Sequence, residues 1–374
     1  MQKIDYKIID NIDKIKKDEW DAVFGSVPES YLFFKALGNS ELLEFKFYYL
    51  VINFGNEIVS IAPLFSADFN LDIAVEGRLS GFIKFIRKFF PRFLIIKALF
   101  CGSPFGEYGV LGIKQGFKDN SEVTPWLLQG IKNCAIRANA SIVIFKDFLK
   151  QDTLFLDVLI KKGYSKVESF PTVALELNFI SFDDYLKSLG SSDRKYLNRK
   201  LRQANERGKI EVKIVQDVAN EIDQVVKLYE NTYQKGATKF EHLTKKFFEQ
   251  VACDLGTHVR FFLYYCDGKL AAFNLCFIYN NLFIDKFIGF DYVISKQFNL
   301  YFVIQAYNIK WCLSNSLRDY YSGQTNCQTK TRLGGKLIPL YAYLKHKNWF
   351  INFFLKLLIP FFKPDNFDQN LKHR

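Results

Sequence analysis

Three apolar runs joined by two tight turns constrain the fold of this chain more than any other feature. The runs are Val259–Cys266, Lys269–Tyr279 and Leu282–Gly289. Asp267-Gly268 and Asn280-Asn281 separate them, and both pairs suit the short turns of β-hairpins. The pattern predicts a three-stranded antiparallel meander in the second half of the chain.

The elements around this meander have a counterpart in the first half of the chain. In the first half the pattern predicts a hairpin, Phe45–Phe54 with Glu57–Phe65. It then predicts a helix at Pro125–Asn139, a strand at Ser141–Phe145, a helix at Thr153–Lys162 and a strand at Thr172–Leu177. The second half predicts the meander followed by a helix and two strands: Leu300–Leu313, Arg318–Ser322 and Ile338–Leu344. The repeated order indicates an internal duplication of an α+β domain.

The length and composition fit this division. The chain has 374 residues, of which 49% are hydrophobic, and two domains of similar size suit that length. The formal net charge of +12 predicts an anionic partner but does not choose among nucleic acid, a phosphorylated ligand and a membrane surface. We predict domains at 1–180 and 210–346, a basic linker helix at 181–209 and an amphipathic basic tail at 347–374.

Several classes of protein are disfavoured by the sequence. The seven cysteines have no CxxC spacing and the four histidines are scattered, so neither a disulfide framework nor a metal site is expected. No signal peptide opens the chain, and no uncharged apolar run reaches the ~18 residues of a membrane span. We therefore expect a cytoplasmic protein. GxSxG, Walker A and Rossmann motifs are missing, which disfavours hydrolases, kinases and dehydrogenases.

The most distinctive segment lies between the halves, FDDYLKSLGSSDRKYLNRKLRQANERGK at 182–209. Ser191 or Ser192 is predicted to cap a helix that Gly208 ends. Its apolar stripe consists of Leu197, Leu201 and Ala204, and basic residues occupy most of the remaining surface. Arginine forks on such a helix could bind phosphate groups, or the helix could be an exposed linker that its charges keep solvated.

A second polar cluster follows the meander, RDYYSGQTNCQTKTRLGGKLIPLY at 318–341. A short strand carries Asp319 to the edge of a cleft, and Gly323 opens a polar loop that leads to Lys330 and Arg332. So many polar groups are costly unless they are exposed or contact a ligand. The segment therefore predicts either a ligand-binding loop or an ordinary exposed loop.

Together, the basic segment, the meander and this polar cluster resemble the FemAB-like branch of the GNAT acyltransferases, which includes the CelD-like peptidoglycan or polysaccharide biosynthesis proteins. Such sequences carry a basic segment near the middle. After the meander they have an aspartate, a glycine, a lysine and a further basic residue. Asp319, Gly323, Lys330 and Arg332 match that order, and Thr329 stands where the family has an aromatic residue.

The resemblance implies two tandem GNAT-like domains with mixed, mostly antiparallel sheets, flanking helices and a cleft between them. It implies an N-acyltransferase that moves an acyl group from acyl-CoA, a co-substrate, to an amine on an anionic envelope or glycan precursor. Asp319 is the candidate base, and Asp285 is the second candidate. Lys296, Gln297 and Asn299 stand where the acyl-CoA pyrophosphate would bind. The expected acceptor-binding residues are Arg194, Arg199, Arg202, Gly323, Gln324, Lys330 and Arg332.

Two other functions remain open at this point. The first is an aminoacyl-tRNA-dependent ligase that acts on a peptidoglycan precursor, in which case the basic chain would bind nucleic acid. The second is a non-catalytic protein that binds nucleic acid or lipid on the same fold. No metal is expected in any of these functions.

Two aromatic and basic segments could contact an anionic membrane surface. Phe82–Phe100 has five basic residues, six phenylalanines and no acidic residue, and the tail Trp349–Lys363 is similar in character. Such segments can lie in a bilayer interface, or they can pack on the core with their lysines reaching water. Membrane contact would favour a lipid-linked acceptor and a location at the inner face of the membrane.

Overall fold

The structure is a computed structural model that describes residues 4–70, 95–117, 123–236 and 241–358. Its strands, in chain order, are β1 (Ile4–Ile9), β2 (Lys46–Phe54), β3 (Glu57–Asn70), β4 (Ile95–Cys101), β5 (Gly112–Ile113), β6 (Ile142–Leu149), β7 (Ser165–Glu176), β8 (Ile210–Val215), β9 (Val259–Cys266), β10 (Lys269–Tyr279), β11 (Leu282–Phe290), β12 (Asp319–Gly323) and β13 (Lys336–His346).

Its α-helices, in chain order, are α1 (Lys17–Phe24), α2 (Tyr31–Gly38), α3 (Val123–Arg137), α4 (Thr153–Leu156), α5 (Val158–Lys161), α6 (Phe182–Ser188), α7 (Ser191–Arg207), α8 (Ile222–Lys235), α9 (Lys245–Leu255), α10 (Tyr292–Gln297), α11 (Leu300–Ser314), α12 (Cys327–Arg332) and α13 (Trp349–Leu358). In the part of the chain that the structure describes, none of the helices is long and apolar enough to cross a membrane.

The chain forms two compact units. Unit 1 consists of Met1–Phe34, Leu43–Phe170 and Pro339–Arg374, and unit 2 consists of Lys35–Leu42 and Pro171–Ile338. Each unit is described by its own strands and core below.

In unit 1 the strands are hydrogen-bonded in the order β1-β2-β3-β4-β6-β13. All of these pairs are antiparallel except β4 with β6, which is parallel. The predicted hairpin is confirmed, since Phe54 of β2 lies opposite Glu57 of β3 across the Gly55-Asn56 turn. Leu50, Leu99 and Phe145 are fully or almost fully buried in the core of this unit.

In unit 2 the strands are hydrogen-bonded in the order β8-β9-β10-β11-β12-β7. Here β11 with β12 is the parallel pair, and the others are antiparallel. The predicted meander is confirmed as β9, β10 and β11. Asp267 and Gly268 between the first two strands both have positive φ, 47° and 81°, as a type I′ hairpin turn requires.

The two units therefore share one order of strand pairings. In each unit three antiparallel pairs are followed by one parallel pair and then by one antiparallel pair. This confirms the α+β class and the tandem GNAT-like organisation. The units differ from the predicted bounds in their last strands. Residues from Pro339 to the end of β13 belong to unit 1, because β13 pairs with β6 from Leu340↔Leu149 to His346↔Ile142. The end of β7 belongs to unit 2, because it pairs with β12.

The basic helix α7 belongs to unit 2. Its predicted apolar stripe lies on the core, with Leu197 and Ala204 buried and Leu201 partly buried. The predicted serine cap is wrong. Gly190 is the N-cap residue, so the helix begins at Ser191 and both serines lie in its first turn.

The two segments predicted to contact a membrane differ in the structure. Residues 82–94 of the first lie outside the described residues. Its remaining part falls in β4, where residues 98–101 are buried, so this part belongs to the core of unit 1. The described part of the tail forms helix α13, and residues 359–363 lie outside the described residues.

Candidate functional site

The strands β11 and β12 of unit 2 separate partway along their length. Their parallel pairing runs from Leu282↔Asp319 to Ile284↔Tyr321. Beyond that point β11 continues along β10, and β12 continues along β7. Asp285 is the first residue of β11 past the last pair. We call the gap that opens between these two strands the unit 2 notch.

A β-bulge turns the side chains of β11 at the same place. Cys276 of β10 lies opposite Asp285, but its neighbour Leu275 lies opposite Phe287. Lys286 is therefore the extra residue, and the alternation of faces resets across it. Asp285 lies two residues after Phe283 and therefore shares its face. Phe283 packs on the core beneath α11.

The carboxylate of Asp285 accepts hydrogen bonds from three side chains. The donors are Asn274 Nδ2 at 2.6 Å, Gln305 Nε2 at 3.0 Å and the Tyr320 hydroxyl at 3.0 Å. Asn308 Nδ2 donates to Asn274 Oδ1 at 2.8 Å and so fixes the orientation of that amide. The three donors and Asn308 are buried, whereas the residue Asp285 as a whole is half-buried.

This environment shifts the ionisation of Asp285. Burial raises the pKa of its carboxyl above the ordinary value, because the charged form loses hydration. The charge of Lys330 and the three hydrogen bonds act in the opposite direction, and the pKa remains raised. A carboxylate of this kind accepts protons more readily than an ordinary aspartate, which suits a general base.

Lys330 is held on α12 with its side chain buried. Its Nζ donates to the carbonyl oxygen of Ser322 and lies 3.5 Å from that of Gly323. Gly323 has a φ of 78°, which glycine adopts without strain and which lets the chain leave β12. The loop predicted after Gly323 is therefore partly a helix, and it turns Lys330 back toward the strand ends.

Asp319 lies away from this network. It is exposed at the first position of β12, whereas Lys330 contacts the last positions of that strand. Side chains alternate along a strand, so Asp319 points to the face opposite Tyr320, whose hydroxyl contacts Asp285. The structure thus separates the two predicted carboxylates by both position and face.

Arg332 joins the notch region to the basic helix α7. Its Nε donates to Asp193 Oδ1 at 2.7 Å, and its guanidinium lies 4.6 Å from the ring centroid of Tyr196. Arg199 lies over the same ring at 5.3 Å. Two of the predicted acceptor-binding residues, Arg332 on α12 and Arg199 on α7, therefore lie over the same aromatic ring.

The other predicted arginines lie along the same helix. Arg194 is half-buried and donates to the Lys187 carbonyl at 3.3 Å. Arg202 is exposed and lies 3.6 Å from Glu206. Lys195, Arg199 and Arg202 face a shallow groove on the surface of unit 2.

The residues predicted to bind the acyl-CoA pyrophosphate are only partly available. Lys296 and Gln297 are exposed at the end of α10. Asn299 is engaged with the basic helix, since Lys200 Nζ donates to its Oδ1 at 3.0 Å. At the start of α10, Asp291 Oδ1 already accepts from the amides of Val293 and Ile294 at 3.1 Å and 3.2 Å. The Asp291 carboxylate therefore occupies these two amides at the start of α10.

Sequence reasoning missed the three buried donors to Asp285, which are Asn274, Gln305 and Tyr320, and Asn308, which orients Asn274. A signal for them was present. Asn274 interrupts an apolar strand, LAAFNLCFIY, and Gln305 and Asn308 stand three residues apart in an apolar helix. Polar side chains at that spacing share one helix face, and a buried face with amides requires hydrogen-bond partners.

Comparison with known proteins adds a family to this geometry. The profile of the FemAB-like family, described as peptidoglycan biosynthesis/recognition, matches residues 11–336. No curated protein sequence matches the chain significantly.

Several solved structures share the fold. FemX aligns with a TM-score of 0.58 at 11% identity, over 91% of this chain and 98% of its own. A tandem GNAT protein from the clavulanic acid biosynthesis pathway aligns with a TM-score of 0.55 at 9% identity, over 92% and 99%. L-PGS from Bacillus licheniformis aligns with a TM-score of 0.51 at 10% identity, over 87% and 91%. At these identities the likeness extends to the fold alone.

Proposed function

Because the chain belongs to the FemAB-like family of peptidoglycan biosynthesis and recognition, we propose that it transfers an aminoacyl group from charged tRNA to an amine on a peptidoglycan precursor. The reaction takes place at the unit 2 notch. The observation that carries this proposal is the Asp285 carboxylate beside the strand gap, which three buried donors fix in place and whose pKa burial raises.

The chemistry is direct attack of the amine on the ester of the donor. The nitrogen forms the new amide bond, the ester carbon–oxygen bond breaks, and the 3′-terminal hydroxyl of the tRNA leaves. The attacking nitrogen loses a proton to Asp285, which passes it to the leaving oxygen, so the tRNA leaves with a free 3′-hydroxyl and the carboxylate is regenerated. General-base catalysis of this type contributes roughly 10²–10⁴-fold, and holding the two substrates in contact contributes the rest.

Lys330 supports this step electrostatically. Its charge lowers the pKa of Asp285 and so keeps a fraction of the carboxylate ionised, despite its burial. In this proposal the ammonium group also stabilises the negative charge that develops on the ester oxygen. A buried cation in a water-poor site stabilises such charge more strongly than it would in water.

Two features favour charged tRNA over acyl-CoA as the donor. Asp291 occupies the helix-start amides of α10, so the expected pyrophosphate site already holds an anion. In addition, the exposed face of α7 presents Lys195, Arg199 and Arg202 to solvent. A row of cations along a helix suits a nucleic acid backbone.

The acceptor follows from the family and from the charge of unit 2. Peptidoglycan precursors carry phosphates and carboxylates beside a free amine. Arg194, Arg199 and Arg332, together with the main chain around Gly323 and Gln324, supply donors for such groups. We place the acceptor between α7 and α12, where Tyr196, Thr329 and Arg332 line a small concavity.

A transfer assay with a labelled amino acid tests the donor. The full chain is incubated with a peptidoglycan precursor and either charged tRNA or acyl-CoA. We expect labelled product from charged tRNA, and ribonuclease treatment before the reaction should abolish it. Product from acyl-CoA that resists ribonuclease would instead support the acyl-CoA-dependent N-acyltransferase.

An Asp285→Asn variant distinguishes an enzyme from a binding protein. The variant should bind charged tRNA as tightly as the original chain and lose transfer. The Asp319→Asn variant is the matched control, because it removes an exposed carboxylate from the other face of the sheet. Binding of tRNA without transfer by the unmodified chain would indicate the non-catalytic alternative.

A further inference from the structure

Helix α13 of unit 1 buries a polar residue and exposes its large apolar residues, which reverses the usual burial pattern of a helix. Asn352 is 9% exposed, whereas Trp349 is 78% exposed and Phe350 is 55% exposed. The other large apolar residues that are exposed on this helix are Ile351, Phe353, Phe354 and Leu357. Soluble helices bury the apolar face and expose the polar one, so α13 is oriented for an apolar environment outside unit 1.

Hydrogen bonds of unit 1 fix this orientation. Asn348 caps the helix, its Oδ1 accepting from the amides of Phe350 and Ile351 at 2.9 Å and 3.2 Å. Asn352 Oδ1 accepts from the His346 amide at 2.9 Å, and its Nδ2 donates to the Gly163 carbonyl at 3.0 Å. These bonds hold the polar side of the helix against unit 1 and leave its aromatic side exposed.

A pocket with cationic walls lies in the same part of unit 1. Its volume is about 520 Å³, and its walls include Lys132, Lys162, Lys345 and Lys347 with apolar residues of α3 such as Leu128. Among the described residues that line this pocket there is no aspartate or glutamate. We call it the lysine pocket.

The lysines are close enough to interact with one another and with α13. Lys345 Nζ donates to the Lys162 carbonyl at 2.7 Å. Burial, and then the charges of Lys132 and of Lys356 on α13, lower the pKa of Lys345. Like charges at such proximity are unfavourable, and an anion between them would remove that repulsion.

From the exposed aromatic face of α13 and the adjoining lysine pocket, we infer that unit 1 docks on an anionic lipid membrane. The aromatic side chains enter the interface between head groups and acyl chains, where amphipathic helices lie. The lysine pocket takes the phosphate of an anionic head group, and the neighbouring lysines face the negative surface.

Charge argues against a second copy of the chain as the occupant. A symmetric dimer would place the same surface on both sides of the interface. The lysines of one copy would then lie near those of the other, with no acidic partners from the lining residues. An anionic bilayer provides an apolar environment for the exposed face of α13 and negative charge for the lysines.

Vesicle co-sedimentation tests this inference on the full chain. Vesicles of phosphatidylcholine alone are compared with vesicles that also contain phosphatidylglycerol. We expect binding to the anionic vesicles, with an increase of the dissociation constant at high salt. Equal absence of binding to both kinds of vesicle would overturn the proposal.

Variants separate the two parts of the surface. The double variant F350S/F354S should weaken binding to anionic vesicles by more than about tenfold. Lys132→Gln and Lys347→Gln should each weaken it by about fivefold, the effect of one cation near such a surface. Ile180→Ser is the matched control, because Ile180 is 97% exposed but lies on unit 2; it should leave binding unchanged.

Sedimentation velocity in the absence of lipid completes the test. We expect a monomer for both the unmodified chain and F350S/F354S. A dimer that dissociates in F350S/F354S would show that a second copy covers α13, and would overturn the membrane proposal. Neither result depends on transfer activity, so this proposal and the proposed function fail independently.

Discussion

The parallel strand pairs of the two units begin alike and end differently. In unit 1 the pairing of β4 with β6 runs from Ala98↔Ile142 to Cys101↔Phe145. In unit 2 the pairing of β11 with β12 has the same position in the strand order. What lies beyond the last pair decides whether the gap between the strands can hold a substrate.

In unit 1 the chain itself fills this place. After Cys101 the strand ends, and Gly102 donates its amide to the Pro63 carbonyl at 2.9 Å. The chain then returns to β6, where the Gly109 amide donates to the Asp147 carbonyl at 2.6 Å. A Cβ on Gly109 would lie 2.3 Å from the Lys146 carbonyl oxygen and 2.5 Å from the Phe148 ring, so this return requires glycine.

In unit 2 the corresponding place holds a carboxylate and its buried amide partners instead of a returning loop. Strand β11 continues past the last parallel pair and presents Asp285 there. The duplicated architecture therefore supplies two similar frames, and in unit 2 the frame presents a carboxylate with buried amide partners beside the strand gap. This comparison favours unit 2 as the unit that carries the proposed chemistry.

The largest effect is expected from Asp285→Asn. The substitution keeps the size of the side chain and removes the proton acceptor, so the rate of transfer should fall by about 10³-fold. The measurement is single-turnover transfer with saturating substrates. A rate within threefold of the unmodified chain would remove Asp285 from the reaction.

The fold should tolerate this substitution. Because the pKa of Asp285 is raised in the folded state, ionisation of this carboxyl opposes folding at neutral pH. Removal of the charge therefore offsets the weaker hydrogen bonds of the asparagine. We expect the free energy of unfolding to change by no more than about 1–2 kcal/mol. Denaturant unfolding monitored by circular dichroism checks this.

Lys330→Met should reduce transfer by roughly 10–100-fold, since it removes the buried cation and leaves the shape of the side chain nearly unchanged. The pKa of Asp285 should rise further, because the charge of Lys330 lowers it. The pH at which half of the transfer rate is lost should therefore shift upward. Lys310→Met on the exposed side of α11 is the control, and an equal loss in both variants would contradict a specific role.

Gly109→Ala tests the position in unit 1 where the returning chain fills the gap between β4 and β6. The new methyl group meets backbone and ring atoms at less than 3 Å, and crowding of this kind costs roughly 1–3 kcal/mol. We expect a lower unfolding midpoint with the transfer rate per folded molecule unchanged. A specific loss of transfer at full stability would mean that unit 1 takes part in the chemistry.

The smallest effect is expected from Asp319→Asn. This carboxylate is exposed at the far end of β12 and points away from the Asp285 network. We expect transfer to change by less than about twofold, since surface substitutions away from special features have small effects. A loss comparable to that of Asp285→Asn would restore Asp319 as the base.

The sequence predicts the local elements of this protein better than its long-range pairings. The meander and the β2–β3 hairpin are marked by turn residues that act over two positions, so they can be identified without the rest of the fold. The partners of β13 and β7 cannot be identified in this way, because no two-residue turn joins either strand to its partner. Nothing in the local sequence specifies whether β6 or β12 will be the partner.

The same limit applies to the candidate site. The family order of an aspartate and a glycine favours Asp319 over Asp285 as the base, but that order carries no information about faces. The pairing of β11 with β12 and the amide-bearing face of α11 decide which carboxylate meets the buried amides. That pairing is fixed only in the folded sheet.

The pH dependence of single-turnover transfer tests the role of Asp285 most directly. The rate of the unmodified chain is divided by that of Asp285→Asn at each pH, which cancels the ionisation of the acceptor amine. We expect a large ratio that is constant above the raised pKa of Asp285 and falls about tenfold per pH unit below it. A ratio that stays constant down to the acid range, or one near unity throughout, would contradict catalysis by this carboxylate.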